Sequence, residues 1–371
     1  MIATKQQLVE SFRLQADWCE RLDSSLYATM LGAAVEDIDA EGPVFDVVEG
    51  FDMDPVSAAL ALRLMGGVHR LVLMGLAPEL AAHYPSTGGT PDLATLADAF
   101  IGVVEQHPGY LRDSLSVAPQ TNEVGRSTYL LTGVLAGLDG NRMDVRLLEL
   151  GSSGGLNLLL DHYRYETDSW SWGEQESPVV IRSDWTGPAP SRLGGLSIVD
   201  RRGCDVNPLP ADTEANQLRL LSFLWPDQVE RINRTRGAFE VAAREHPPID
   251  EADAASWLSQ HLHEPVPRNT ATVLQHSVMW QYLPPETRAS LDDAVEEAAA
   301  RATKRRPFIH VSFEPPPKDF EPDGRGMMLT ASRWPGGERR LLARGHPHGT
   351  WIHWISSESG LRAPGPGLQR R

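Results

Sequence analysis

The chain has little cysteine and little positive charge. Cys19 and Cys204 are its only cysteines among 371 residues. That excludes a disulfide framework, and two thiols alone make no zinc cluster. Lysines and arginines number 34 against 50 aspartates and glutamates, a formal net charge of −16. Non-specific nucleic-acid binding relies on cations that neutralise phosphates, so this balance speaks against a nucleic-acid partner and favours a small molecule. The start, Met1-Ile-Ala-Thr-Lys-Gln-Gln, lacks a basic stretch followed by an apolar run, so no signal peptide is expected. No apolar run is long enough to span a bilayer. The expectation is a cytoplasmic protein with no membrane partner. The rest is ordinary for a globular chain, 41% hydrophobic and 23% charged. Its length allows two domains, or one with a large extension.

Residues 1–140 read as mostly helical. Leu8, Phe12, Cys19 and Leu22 recur at near-helical spacing. Asp54-Pro55 looks like the cap and first turn of a second helix running through Ala58–Leu64 into Val68–Leu73. Leu93–Gln106 is another amphipathic helix. No internal repeat is visible. From Val145 short apolar runs alternate with helices, which implies a parallel sheet. Strands are expected at Val145–Leu150, Leu196–Val199, Thr272–His276 and Phe308–Glu314, with an inserted hairpin around 163–182. Thr213–Arg244 reads as helical, broken at Trp225-Pro226, and Pro285–Thr303 as a helix with proline in its first turn. Met327–Thr330 and His353–Ser356 would close the sheet as an antiparallel hairpin.

The most informative stretch is Arg146-Leu-Leu-Glu-Leu-Gly-Ser-Ser-Gly-Gly-Leu-Asn-Leu-Leu-Leu-Asp161. It reads as a buried strand, a glycine-rich turn, then a helix from Leu156. Such turns hold nucleotide-like cofactors in doubly wound sheets, though tight packing alone also produces them. Ser153 stands where a dinucleotide fingerprint carries the glycine that meets a pyrophosphate, which argues against NAD or FAD.

Ligands of doubly wound sheets lie at the C-terminal ends of the strands. The second strand leads to Asp205, in Gly203-Cys-Asp-Val-Asn-Pro208. An acid there can accept both ribose hydroxyls, or it can shape the turn before Pro208. It follows the glycine turn far later than the roughly 20 residues usual, and the inserted hairpin accounts for the excess. Ahead of the first strand, Gln120, Asn122, Glu123 and Arg126 form a dense polar run. They either cap the helix at Ser127–Gly137 or reach the site as substrate contacts. His276, at a strand end, has the chemistry of a general base, although a buried histidine satisfied by backbone is equally compatible. His346, His348 and His353 invite a metal, but no further ligand is signalled by spacing, so none is expected.

The run Glu149-x-Gly151-x-Ser153-x-Gly155 resembles motif I of the class I S-adenosylmethionine-dependent methyltransferases. The segment Thr272–Glu286 is similar to the strand-four region of small-molecule members. The resemblance covers about residues 145–355. It implies that Glu149, Gly151, Ser152, Ser153, Gly155 and Asn157 line S-adenosyl-L-methionine. It places Asp205 on the ribose and Asp253 on the adenine amino group, where a helix N-cap is the alternative. It further implies that Gln275, His276 and Ser277 lie over the reactive methyl, with Trp280 and Tyr282 toward the substrate. A cation without phosphate needs carboxylates and carbonyls more than a nest of N–H groups.

Several other pieces resemble a prokaryotic family catalogued as a domain of unknown function. They are Phe12–Cys19, His83–Gly89, Gln120–Glu123, Glu149–Asn157, Trp225–Gln228, Trp334–Gly337 and His346–Gly349. Fold analogy alone does not establish activity.

The expected architecture is therefore α/β: a helical cap at 1–140, a doubly wound Rossmann-like methyltransferase domain at 141–358 and a flexible tail at 359–371. The expected activity is methyl transfer from S-adenosylmethionine to a small molecule. A nucleotide-binding oxidoreductase and a non-catalytic sensor are the alternatives.

Overall fold

The computed structural model of the chain describes residues 2–190, 193–317 and 326–355; the expected tail lies outside them. The described residues form two compact units, one of 1–121 with 213–233 and one of 122–212 with the residues from 234 onward. The expected boundary at 140 thus falls inside the second unit, and the segment 213–233 joins the first.

The first unit is helical. Its helices are α1 (Lys5–Arg21), α2 (Ser25–Asp39), α3 (Pro43–Val48), α4 (Leu60–Leu73), α5 (Pro78–Ala81), α6 (Leu93–Gln106) and α7 (Pro108–Ser114). Thr4 and Gln7 form a reciprocal capping box at the start of α1. Leu8, Phe12 and Cys19 face inward, as their spacing predicts. The helix expected to begin at Asp54-Pro55 begins at Leu60 instead. Asp54 Oδ1 accepts the Ser57 amide at 2.7 Å, and Ala59 takes a left-handed φ of 53°, so the intervening residues form turns. Helices α2 and α3 lie before it, within the stretch expected to be mostly helical but not delimited there.

In the second unit, α8 (Ser127–Leu138) precedes β1 (Asp144–Leu150). The strands that follow are β2 (Arg164–Glu166), β3 (Ser171–Trp172), β4 (Val180–Arg182), β5 (Asp184–Thr186) and β6 (Ser197–Asp205). Helix α9 (Glu214–Ser222) belongs to the first unit, and α10 (Val229–Glu245) begins there and continues in the second. The chain ends with β7 (Ile249–Glu251), α11 (Ala254–Leu262), β8 (Thr270–Ser277), α12 (Pro285–Arg301), β9 (Phe308–Glu314), β10 (Met327–Trp334), β11 (Arg340–Gly345) and β12 (Trp351–Trp354).

Nine strands form one sheet in the order β5-β12-β11-β10-β9-β8-β1-β6-β7. From β7 to β9 every pairing is parallel, and β9 through β12 form an antiparallel meander. The expected closing hairpin is thereby corrected: β11 lies between β10 and β12. The expected inserted hairpin is a separate three-stranded sheet, with β2 antiparallel to β3 and parallel to β4. Helices cover both faces of the main sheet. Tyr129 of α8 stacks on Phe313 of β9, with ring centroids 3.8 Å apart. On the other face Trp257 and Leu258 of α11 and Leu291 of α12 pack with Leu148, Leu150 and Leu274. No helix among the described residues is long and apolar enough to cross a membrane.

One correction matters for the site. The segment after the glycine turn is a 3₁₀ run, Leu156–His162, kinked at Leu159, where an α-helix was expected. Leu156, Leu158, Leu159 and Leu160 are all buried, so the run has no solvent face to give it helical amphipathicity. Its carbonyls are taken by side chains: Tyr163 Oη donates to Leu156 O and Tyr165 Oη to Leu160 O, each at 2.6 Å, and Arg201 Nη1 donates to Leu158 O at 2.7 Å. These bonds replace the helical ladder.

Candidate functional site

The strand order reverses at β1, which lies between β6 and β8. In open parallel sheets that reversal leaves a crevice at the carboxyl ends of the strands. Glu149 sits there in register with Gly203 of β6 and Gln275 of β8, so all three share one face. Gly203 leaves room for the turn: a Cβ there would lie 2.5 Å from Ser152 Oγ. Ser152 instead folds over the end of β6, and its amide donates to Cys204 O at 3.0 Å.

The turn itself is left-handed at three residues, Gly151 (φ 65°), Ser153 (φ 52°) and Gly155 (φ 71°). Glycine takes this conformation freely, but at Ser153 it costs about 1 kcal/mol or more. Asp205 holds Ser153 in place. Its Oδ2 accepts the Ser153 amide at 3.0 Å, and its Oδ1 accepts the Asn207 amide at 2.9 Å. Asp205 therefore shapes two turns at once and ties the end of β6 to the glycine turn. Beyond Gly155, Asn122 Oδ1 accepts the Leu156 amide at 3.0 Å, and Ser127 Oγ donates to Asn157 Oδ1 at 2.7 Å. Gln275 Nε2 donates to Asn157 O at 3.2 Å.

Buried polar atoms without a partner collect here: Glu149 Oε2, Gln275 Oε1 and Ser153 Oγ. Such atoms are uncommon in folded proteins and ask for an explanation. Burial raises the Glu149 carboxyl to about 8; the Gln275 side-chain hydrogen bond opposes the shift, and the Asp205 charge adds to it. At neutral pH Glu149 is therefore mainly a neutral acid. Glu149 Oε2 and Gln275 Oε1 face the crevice end of the sheet with their hydrogen-bonding capacity unused.

Two more acids, Asp250 and Asp253, stand in β7 and just after it. Burial pushes the Cys204 thiol far above its ordinary value, the Gly151 amide opposes this, and Asp205, Asp250 and Asp253 add to it. Asp253 Oδ1 accepts the amides of Ala255 and Ser256, which makes it the N-cap of α11. Asp250 is occupied by Arg202, at 2.6 and 2.8 Å, and by Trp257 Nε1 at 2.7 Å; the Arg202 bond lowers its carboxyl to about 2.

Alternation along β8 separates the residues expected together over a methyl group. Gln275 and Ser277 share the Glu149 face, and His276 points to the other. There His276 Nδ1 donates to Glu314 Oε1 at 2.7 Å, and its Nε2 meets His310 Nε2 at 3.0 Å. Burial, with the His276 charge second, pushes His310 well below its ordinary value, so His310 is neutral. Both ring nitrogens of His276 are engaged, which leaves neither open to a substrate in this arrangement. Glu314 Oε1 also accepts the amides of Met279 and Trp280, at 3.1 and 3.4 Å. The pair thus fixes the loop after β8. That loop places Met279 against the glycine turn: a Cβ on Gly151 would lie 2.9 Å from Met279 Cβ. Trp280 stacks on His276, whereas Tyr282 is 72% exposed.

The polar run before α8 divides. Gln120 belongs to the helical unit, and Asn122, Glu123 and Arg126 to the sheet unit. Glu123 is buried, pairs with Arg234 at 3.0 Å and accepts the Gly125 amide at 2.9 Å. Arg126 Nε donates to Pro347 O at 3.0 Å. These residues and the His346–Gly349 turn lie together. His346 Nδ1 accepts the His348 amide at 3.1 Å, and His353 Nδ1 meets Thr186 Oγ1 at 3.0 Å on β12. Among the described residues no group of three or more metal-type donors gathers. Sequence reasoning missed Glu314, His310 and Arg234. Only the charge at the end of the Phe308–Glu314 strand offered a signal.

No curated protein and no solved structure matches the chain. One family model does match, over residues 9–354, and the chain belongs to that family: uncharacterized proteins conserved in bacteria (DUF2332).

Proposed function

We propose that this protein binds S-adenosyl-L-methionine at the 151–155 turn and transfers its methyl group to a small molecule. The observation that carries the reading is the pair of carboxylates, Glu149 and Asp205, flanking a glycine-serine turn at the reversal of a Rossmann-like strand order. The missing α-helix after the turn supports it too. Dinucleotide sites set a pyrophosphate on a helix N-terminus, and a kinked 3₁₀ run offers little of that dipole. A cationic ligand without phosphate suits carboxylates better.

The residues present fit such a ligand. Glu149 would meet its ammonium, with an orphaned oxygen ready to accept. Asp205 would take the ribose hydroxyls, Asp253 the adenine amino group, and the backbone of Gly151, Ser152, Ser153 and Gly155 the amino-acid and ribose portions. Asn157, Gln275 and Ser277 complete that wall. When bound, the cofactor supplies an electrophilic methyl group on a sulfonium. The chain's own contribution is alignment: holding an acceptor in line with that methyl, which can account for most of a methyl-transfer rate. His276 acts through Glu314 as a positioning residue for the 278–283 loop.

Equilibrium dialysis with S-adenosylmethionine tests the reading. Asp205→Asn keeps an acceptor for the Ser153 amide but loses the charge. It is expected to bind at least tenfold more weakly than wild type, about 1.4 kcal/mol. Equal retention by the two proteins would contradict the assignment.

A further inference from the structure

Helix α4 carries two adjacent glycines, Gly66 and Gly67, in its interior, where each costs about 1 kcal/mol relative to alanine. Packing explains them. A Cβ on Gly66 would lie 2.5 Å from the Phe223 ring, and one on Gly67 would lie 2.3 Å from Ser114 Oγ. The glycines let α7 and the residues after α9 close onto α4. Arg63 and Arg70 flank the pair at helical spacing and share its face. Arg219 of α9 joins them. The three arginines line a cavity of about 260 Å³ with Tyr110, Phe223 and the exposed Asp113.

Among the described residues none of these arginines forms an ion pair, and Asp113 is the one acid in the lining. Arg63 Nε and Nη1 donate to the carbonyls of Ala58 and Leu115, at 2.7 and 2.8 Å. Arg70 Nε and Arg219 Nε are buried without a partner. Burial, and then the Arg70 charge, pulls the Arg219 guanidinium below its ordinary value. Three cations crowded around a cavity repel one another, and an anion in the cavity would relieve that repulsion.

We infer that this cavity is a binding site for a small phosphate monoester, its phosphate held by Arg63, Arg70 and Arg219 and its organic body against Phe223 and Tyr110. A tetrahedral dianion suits the guanidinium groups of Arg70 and Arg219, with Arg63 held beside them by the Ala58 and Leu115 carbonyls, and balances their excess over Asp113. The volume exceeds the needs of a bare phosphate and falls just short of drug-sized pockets. This site is independent of the 151–155 turn.

Thermal-shift and calorimetric titration of the full chain with phenyl phosphate, inorganic phosphate and benzoate, against sodium chloride of matched ionic strength, tests the inference. Phenyl phosphate is expected to raise the melting temperature by roughly 2 °C or more at saturating concentration and to bind more tightly than inorganic phosphate or benzoate. Arg219→Met and Arg70→Met are each expected to bind it at least tenfold more weakly. Without ligand they should melt no lower than wild type, because each removes a like charge. Asp205→Asn should keep the wild-type response. No shift beyond the salt control would overturn the inference, as would benzoate matching phenyl phosphate. So would methionine variants that keep the wild-type response, or that melt well below wild type without ligand.

Discussion

Glu149→Gln is expected to remove a pH dependence of stability that wild type shows between about pH 4.5 and 8. An ordinary glutamate, as in the unfolded chain, ionises near 4.5, and the folded chain holds this proton up to about 8. Across that window the folded state binds the extra proton, so stability falls as pH rises. The slope contributed by one such group approaches 1.4 kcal/mol per pH unit at most. The contribution is fully present below 4.5 and lost above 8. A glutamine is neutral throughout, as the protonated acid is, and its Oε1 keeps an acceptor for the Gln275 side chain. Urea denaturation of the two proteins from pH 4 to 9 reads the difference, and other titrating groups cancel in the comparison. The variant should overtake wild type as pH rises, by several kcal/mol above pH 8. Parallel curves would show that Glu149 ionises in place without penalty.

Glu314→Ala is expected to destabilise the sheet unit by about 3 kcal/mol or more. One carboxylate oxygen accepts from His276 Nδ1 and from the Met279 and Trp280 amides. Removing it strands donors with little access to water, each costing roughly 1–3 kcal/mol. The 278–283 loop then loses its anchor and Met279 its hold on Gly151. Glu314→Gln retains one acceptor and should lose roughly half as much. Chemical denaturation gives the energies, and amide hydrogen exchange at Met279 and Trp280 shows whether the loop is released. A change below 0.5 kcal/mol with unaltered exchange would mean that Glu314 is not the anchor.

The parallel strands were legible where short apolar-rich runs stand between turn residues, as at Val145–Leu150 and Phe308–Glu314. The glycine turn was legible because Gly151 and Gly155 answer a local demand for left-handed backbone. What failed was set by distant partners. Leu156–Leu160 reads as helix until the hydroxyls of Tyr163 and Tyr165 claim its carbonyls. His276 reads as an open base until the register of β8 on β9 brings Glu314 and His310 to its two nitrogens. Strand β11 was hidden because Arg340–Gly345 begins and ends on polar or small residues and matches no simple alternation. The α2 segment carries Gly32-Ala-Ala-Val among its apolar residues, which blurs any single face.

Calorimetric titration of the full chain with S-adenosylmethionine at pH 7, in two buffers of different protonation enthalpy, bears most directly on the cofactor assignment. S-adenosylhomocysteine and NAD⁺ serve as comparisons. Binding heat is expected with both sulfur ligands and not with NAD⁺. A cation beside Glu149 should drive off its proton, so wild type should release about one proton per S-adenosylmethionine bound and Glu149→Gln none. The absence of heat with either sulfur ligand, from a chain that melts cooperatively under the same conditions, would contradict the assignment.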